Sequence, residues 1–359
     1  MSDIDLGFAE ERECAWLTNR YFPSKAGGKP AWLELEKLPN NNELKCEKCQ
    51  QPKAFLCQIY APFEDEYNFH RTIYVFVCRS PDCQENNSAN YLSVYRSQLP
   101  RKNTFYSIEP PIEEGKPLPE INTTKKLCFV CGCLGPLACG RCRSINYCSA
   151  THQRAHWQDH KKICTSENNS RCENVSVLLP NIIFPEWEIV VEANNPEEEF
   201  DTENDDESVE QSRWKEYQEL LDAGNTGTLK DVPDSELDKY VTESEAVDDK
   251  CFRNFKKEVS RDPEQILRYK RGGHPLWIAN VEQTFGQNHR IPDCELCGSM
   301  RQFEFQIMPQ MLNLLKDDHL DWGVLAVYTC SKSCNLPADK GYVAEYIIKQ
   351  DIIPNKNET

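Results

Sequence analysis

Between Cys128 and Cys164 the chain places Cys128-x2-Cys131, Cys139-x2-Cys142, Tyr147-Cys148, His152, Trp157, His160 and Cys164. Cysteine thiolate and neutral imidazole are the ordinary ligands of zinc, and cysteines two residues apart form the knuckles that grip it. Eight such ligands in 37 residues leave too little apolar material to offset the chain entropy of folding. Metal binding must supply the folding free energy of this segment, so the role of the metal is structural. His152, His156 and His160 recur at i, i+4 and i+8; on a helix they share one face, and His156 rivals His152 as a ligand. Cys133 falls inside the segment without an obvious partner.

Paired cysteines recur on both sides of this segment, within a duplicated pattern. Near the N-terminus come GGKPAWL from Gly27, Cys46-x2-Cys49, Phe55 with Gln58 and Ile59, the run IYVFVC ending at Cys78, and Cys83. Near the C-terminus come GGHPLWI from Gly272, Cys294-x2-Cys297, Phe303 with Gln306 and Ile307, LAVYTC ending at Cys330, and Cys334. In both copies the FxxQI block starts six residues after the second cysteine, which marks an internal duplication. Cys46, Cys49, Cys78 and Cys83 form one candidate zinc quartet, and Cys294, Cys297, Cys330 and Cys334 another. The competing reading is that these cysteines are small buried hydrophobes; redox C-x2-C chemistry is disfavoured, because no thioredoxin-like strand and helix pattern surrounds either pair.

The elements that must position these ligands are short apolar runs, rich in β-branched and aromatic residues and broken by Pro and Gly, which predict strands. The expected fold class is therefore β-rich (α+β): two related β modules forming the body, with the Cys/His segment between them. The chain has 359 residues, 39% of them hydrophobic, enough for two to three globular units with a real core. The expected division is 1–110 for the first module, 111–127 for a linker, 128–164 for the Cys/His segment, 165–195 for a β connector, 196–250 for an acidic linker and 251–359 for the second module.

The net charge of −17 is concentrated in one place. Glu197 to Lys250 holds 20 Asp or Glu against five Lys or Arg, which leaves 38 acids and 36 bases elsewhere. This stretch is poor in aromatics and reads as disordered or partly helical, with SRWKEYQELL from Ser212 spaced as a short amphipathic helix. Such a block is either a solvated linker or a contact for a basic partner. No run of about 18 apolar residues is present, and the acidic start MSDIDLGFAEERE is unlike a secretion signal, so a soluble intracellular protein is expected. The 19 cysteines then sit in a reducing compartment, where metal binding is favoured over disulfides.

The Cys/His segment resembles a MYND zinc finger. The resemblance implies interleaved ligands: Cys128, Cys131, Cys148 and His152 for one zinc, Cys139, Cys142, His160 and Cys164 for the other. Cys133 fits neither set. It also implies a peptide groove at Gln153 and Trp157, against the plainer reading in which Trp157 packs the finger core and Gln153 faces solvent. With the finger set between two related halves, the chain as a whole resembles the programmed cell death protein 2 family. The residues that carry this resemblance are LGFAE at Leu6, GGKPAWL, the finger, ILRYKRGGHPLWI at Ile266, CELCGSMRQFEFQIMPQMLN at Cys294, DWGVLAVYTC at Asp321 and KQD at Lys349.

The resemblance implies a non-enzymatic dedicated chaperone of a basic small-subunit ribosomal protein, the universal S-five family member called S-two in eukaryotes, acting in 40S subunit assembly. The cofactor expected is zinc, two ions in the finger and two more if each β module holds one. The alternative is an adaptor or co-repressor whose finger binds proline-containing peptides of nuclear partners. A cytoplasmic location is expected, with the nucleus open to the second reading. Nucleic-acid binding is disfavoured by the acidic charge, and no membrane association is expected. Catalysis finds no P-loop, G-x-G-x-x-G, G-x-S-x-G or H-E-x-x-H pattern, and sites with four protein ligands leave no open position to activate water.

Overall fold

The run IYVFV lies in a strand, His70–Val77, in which every residue is buried, with Cys78 just beyond its end, and LAVYTC lies in a second, Val324–Cys330, equally buried. Strands buried on both faces need an apolar layer on each side, and alternation supplies it. Ile73, Val75 and Val77 point into one core with Leu325 and Val327, while Tyr74 and Phe76 point outward into a second cluster and Ala326 and Tyr328 into a third. The computed structural model describes residues 4–164, 182–193, 247–287 and 289–352. Most of the acidic segment, including the helix expected from Ser212, lies outside the described residues, as do 165–181 of the connector with Cys172.

In chain order the elements are β1 (Asp5–Glu10), β2 (Lys25–Ala26), β3 (Ala54–Tyr60), β4 (His70–Val77), β5 (Leu92–Leu99), β6 (Leu137–Ala138), β7 (Asn146–Tyr147) and α1 (Ala150–Ile163). They continue with β8 (Trp187–Glu192), α2 (Val247–Arg261), β9 (Leu267–Tyr269), α3 (Val281–Phe285), β10 (Arg301–Ile307), α4 (Met311–Leu315), β11 (Val324–Cys330), β12 (Val343–Ala344) and β13 (Tyr346–Gln350). Residues 247–250, the end of the stretch read as acidic linker, are the first turn of α2. The fold is mostly β, as expected, but the two modules do not form separate sheets. Among the described residues eleven strands make one antiparallel sheet in the order β12-β5-β4-β3-β2-β8-β1-β9-β10-β11-β13.

That order exposes the duplication. From the centre outward, β8-β2-β3-β4-β5 in one half matches β1-β9-β10-β11-β13 in the other, and β1 and β8 pair antiparallel at the middle. Each central strand has crossed over: β1 precedes β2 in the chain but pairs with β9, and β8 precedes β9 but pairs with β2. The halves are thus interlocked by an internal strand exchange. The exchange also operates at the rim, where β12 pairs with β5 and the next strand, β13, pairs with β11. The two ends of the sheet therefore approach each other through Glu345, which lies between β12 and β13.

Both copies keep the same local devices. The first glycine of each GG pair is left-handed, Gly27 at φ +66° and Gly272 at φ +78°, a conformation that favours glycine. The glutamine of each FxxQI block holds the loop just after the glycine pair: Gln58 Oε1 accepts from the Ala31 amide at 2.8 Å and Gln306 Oε1 from the Leu276 amide at 2.6 Å. Both β3 and β10 carry a bulge at the matching place, between Phe55 and Cys57 and between Phe303 and Phe305.

Between the halves lies a charged layer. Arg71 of β4 donates from both terminal nitrogens to the two carboxylate oxygens of Glu304 on β10, at 2.6 and 2.8 Å, with both side chains fully buried. Glu304 also accepts from Thr329 and Tyr269. Beside it, Arg96 of β5 and Arg301 of β10 share Glu345 at 2.7 and 3.0 Å.

Candidate metal centres

Each C-x2-C pair sits in a knuckle with one backbone geometry, used four times. The amide four residues after the first cysteine bonds back to that cysteine's carbonyl: Gln50 to Cys46, Gly132 to Cys128, Arg143 to Cys139 and Gly298 to Cys294, all at 2.8–2.9 Å. The first cysteine's own amide reaches forward to the carbonyl of Gln51, Cys133, Ile145 or Ser299. The residue that closes each turn is left-handed, with φ of 58°, 71°, 57° and 69° at Gln50, Gly132, Arg143 and Gly298. This winding turns amides toward the first sulfur. Burial opposes ionisation of Cys46, but the N–H groups of Cys49 and Lys48 outweigh it and draw the thiol down to about 7; at Cys139 burial is likewise overcome by the Cys142 and Arg141 amides, to about 6. Thiolate, the form that binds metal, is favoured at both.

Strand ends and one helix bring in the second pair of each set. In the first module Cys46 and Cys49 meet Cys78, just after β4, and Cys83; in the second, Cys294 and Cys297 meet Cys330, the end of β11, and Cys334. In the finger, the β6–β7 hairpin delivers Cys148, and α1, capped by Ser149 accepting from the His152 amide, presents His152 and His160. The donor atoms of each of the four sets lie within 4.8 Å of one another. The structure thus brings together all sixteen residues singled out as ligands, in the four sets named above.

The spacing of donors suits zinc. A tetrahedron with Zn–S of about 2.3 Å has S–S edges of about 3.8 Å, and S–N edges near 3.6 Å. Cys49–Cys78, Cys297–Cys330, Cys294–Cys334, Cys131–Cys148 and Cys139–Cys164 are 3.5–3.8 Å apart. His152 Nδ1 lies 3.1 Å from Cys148 Sγ and 3.6 Å from Cys128 Sγ, and His160 Nε2 lies 3.3 and 3.5 Å from Cys139 and Cys142. These separations are far beyond a disulfide bond, and all described cysteines are free.

His156 is placed elsewhere. Its ring stacks on Phe129 at 4.4 Å and its Nδ1 meets the Tyr147 hydroxyl at 2.9 Å, which makes it a packed core residue beside the two sites. Cys133 is buried with its sulfur toward the Cys131 carbonyl, outside both sets. Of the remaining cysteines, Cys57 is fully buried, its thiol pushed up by desolvation, while Cys251 is half-buried and Cys14 exposed. Trp157 is 41% exposed and Gln153 half-buried, so the tryptophan does not fill the finger core. Neither lines the groove of about 450 Å³ between the finger and the first knuckle, bounded by Asn41, Gln51, Pro136, Leu137 and Thr151.

The finger is fixed to the first module. Trp32 Nε1 donates to the Gly132 carbonyl at 2.8 Å, Lys29 Nζ to the Phe129 carbonyl at 2.7 Å and Asn41 Nδ2 to the Cys148 carbonyl at 2.9 Å. Trp32, Tyr74 and Phe76 share one apolar cluster with the finger's cysteines. The segment read as a linker is strapped down as well, through Tyr21 to Leu118 and Asn19 to Ile121. Trp32 is 3% exposed, whereas its counterpart Trp277 is only half-buried. Trp32→Ala is expected to cost about 3–5 kcal/mol in denaturant unfolding, and Trp277→Ala distinctly less.

Residues 3–113 match the N-terminal domain of programmed cell death protein 2, residues 249–351 its C-terminal domain and residues 128–164 the MYND finger. The chain is 43% identical to the programmed cell death protein 2 of Rattus norvegicus, over 97% of its own length and 96% of the relative's. It is 24% identical to a Schizosaccharomyces pombe protein named "Probable 20S rRNA accumulation protein 4", over 89% and 91% of the two chains, and 26% identical to a human programmed cell death protein 2-like protein. No solved structure matches. The finger implies zinc binding, and the chain belongs to the programmed cell death protein 2 family.

Proposed function

We propose that this protein is a non-enzymatic chaperone that holds a basic small-subunit ribosomal protein, the S-five family member called S-two in eukaryotes, on its way into the 40S subunit. The observation that carries this reading is the similarity, across about nine-tenths of both chains, to a relative named for accumulation of 20S rRNA. The local balance of −15 between Glu197 and Lys250, 20 acids against five bases, supports it, because ribosomal proteins are basic and partly unstructured before they meet RNA. Four closed sets of four ligands are suited to structural zinc, four ions per chain, with a scaffold role and no open coordination position for chemistry. The proposed site of action is the cytoplasm.

The test is purification of the tagged full chain from cells at moderate salt, with quantitative mass spectrometry. One S-five family protein near stoichiometry, without the rest of the subunit, is the expected result. Ribosomal proteins at background, with transcription or chromatin proteins dominant, would refute it. A second reading, a nuclear adaptor whose finger captures proline-containing peptides, is favoured by the exposure of Trp157 on α1. It predicts that Gln153→Ala/Trp157→Ala abolishes peptide capture with zinc content intact; unchanged capture removes it.

A further inference from the structure

The four ligand sets are not equally shielded. All eight finger ligands are at most 8% exposed. In the first module Cys46, Cys78 and Cys83 are buried and Cys49 is half-buried; in the second, Cys297 is exposed and Cys334 half-buried. The cause is a local difference between copies of one knuckle. After Cys49 stands Gln50, whose side chain folds back to donate to the Glu47 carbonyl at 2.8 Å. After Cys297 stands Gly298, where a Cβ would meet nothing within 4 Å. The first knuckle is further flanked by the finger, through Thr151 on Gln51 at 2.9 Å, and by the Lys48–Glu85 ion pair. The second has Leu296 and Met300 at the positions of Lys48 and Pro52, both of them exposed.

We propose that Cys297 is a redox modification site: a hydroperoxide oxidises it, and its neighbour Cys330 closes a disulfide that opens the C-terminal metal site. The inference rests on the reading that this set holds zinc. In the first step the Cys297 thiolate attacks the outer oxygen of the hydroperoxide; the S–O bond forms, the O–O bond breaks, and an alkoxide or hydroxide leaves. Sulfur is oxidised by two electrons to the sulfenic acid and the peroxide is reduced. In the second step the Cys330 thiolate, 3.5 Å away, attacks that sulfur, the S–S bond forms and hydroxide departs. The pair must draw in to about 2.05 Å, and the site loses two of its four thiolates, releasing the metal.

The loop that carries Cys330 to Cys334 is also one of the contacts between the two halves. Ser333 Oγ accepts from Arg71 Nε at 3.0 Å, the Cys334 carbonyl accepts from Arg96 at 3.0 Å and from Gln98 at 3.1 Å, and the Ser333 carbonyl accepts from Gln98 at 3.1 Å. Opening the site therefore frees the groups that hold the buried Arg71 and Arg96 in place. Oxidation at one exposed sulfur is transmitted to the contact between the halves.

The experiment titrates the zinc-loaded full chain with hydrogen peroxide, following released zinc with a chromophoric indicator and the cysteines by peptide mass spectrometry. The expected result is four zincs at the start, the first one released together with a Cys297–Cys330 disulfide, and a Tm that falls in step. Gly298→Gln, which copies the first knuckle, is expected to slow that release several-fold, and Gln50→Gly to quicken oxidation at Cys49. A chain that starts with four zincs but loses one from another set first, or a Gly298→Gln variant that releases zinc as fast as the parent, overturns the inference alone. A chain with no zinc at the C-terminal set refutes the underlying reading and the inference together.

Discussion

Cys128→Ala is expected to empty the finger of both its zinc ions and to lower the Tm of the whole protein. Structural zinc contributes apparent binding energies of about 10–16 kcal/mol to small folds, and the finger has no other means of folding. Its two ligand sets interleave along the chain, 128, 131, 148 and 152 against 139, 142, 160 and 164, so neither can form while the other is unfolded. The loss extends to the body, because Trp32, Tyr74 and Phe76 share their apolar cluster with the finger's cysteines; uncovering that face removes packing comparable to a large-to-small change in a core, about 3–5 kcal/mol. Metal analysis and calorimetry check this. Cys133→Ala, one position outside the ligand sets, should retain full zinc, as should His156→Ala, which removes core packing and no ligand. Loss of zinc in the His156 variant with retention in a His152 variant would reverse the ligand assignment.

Arg71→Met is expected to cost about 3 kcal/mol, the lower end of the usual penalty for breaking a buried ion pair, because Arg271 remains near the carboxylate. Arg71 and Glu304 are both fully buried, so the carboxylate loses its two-pronged partner with no water to replace it and keeps only Arg271 at 3.5 Å and the Thr329 and Tyr269 hydroxyls. Arg71→Met/Glu304→Leu should recover most of that stability, since a well-packed apolar pair often matches a buried ionic one. The pair also sets a pH dependence. Burial alone would raise the Glu304 pKa, but attraction to Arg71, the Arg71 hydrogen bonds, the Thr329 hydroxyl and the Arg271 charge outweigh it and hold the carboxyl below its ordinary value. A carboxyl depressed in the folded state stabilises fully above its unfolded pKa of about 4.3 and loses that contribution as pH falls through the lower folded value. Acid unfolding should therefore be less steep in the double variant than in the parent, measured by circular dichroism across that range.

The metal sites were the most legible part of the chain because their constraint is local. Two cysteines two residues apart encode a knuckle whatever surrounds them, and the duplication pointed to the matching pairs. The left-handed residue that closes each knuckle was half hidden: glycine marks it at Gly132 and Gly298, while Gln50 and Arg143 adopt the same angle without any signal in their type. Helical spacing put His152, His156 and His160 on one face, but only the hairpin that sets Tyr147 against His156 separates core from ligand.

Strand existence was legible in IYVFVC and LAVYTC, whereas pairing was not. The exchange of β1 and β8 depends on β2 and β9, two and three residues long, too short for an alternation pattern to register. Arg71 and Glu304 are separated by 233 residues, and the bulge between Phe303 and Phe305 decides which way the intervening glutamate faces. Non-local pairing of this kind leaves no periodic trace.

Native mass spectrometry of the purified full-length protein, before and after a strong chelator, counts the metal ions that hold the fold together. Four zinc ions per chain are expected, with loss of the finger's pair and of the modules' pair each accompanied by unfolding. Two zinc ions, with Cys46, Cys49, Cys78, Cys83 and Cys294, Cys297, Cys330, Cys334 all alkylated readily in the folded protein, would contradict that expectation.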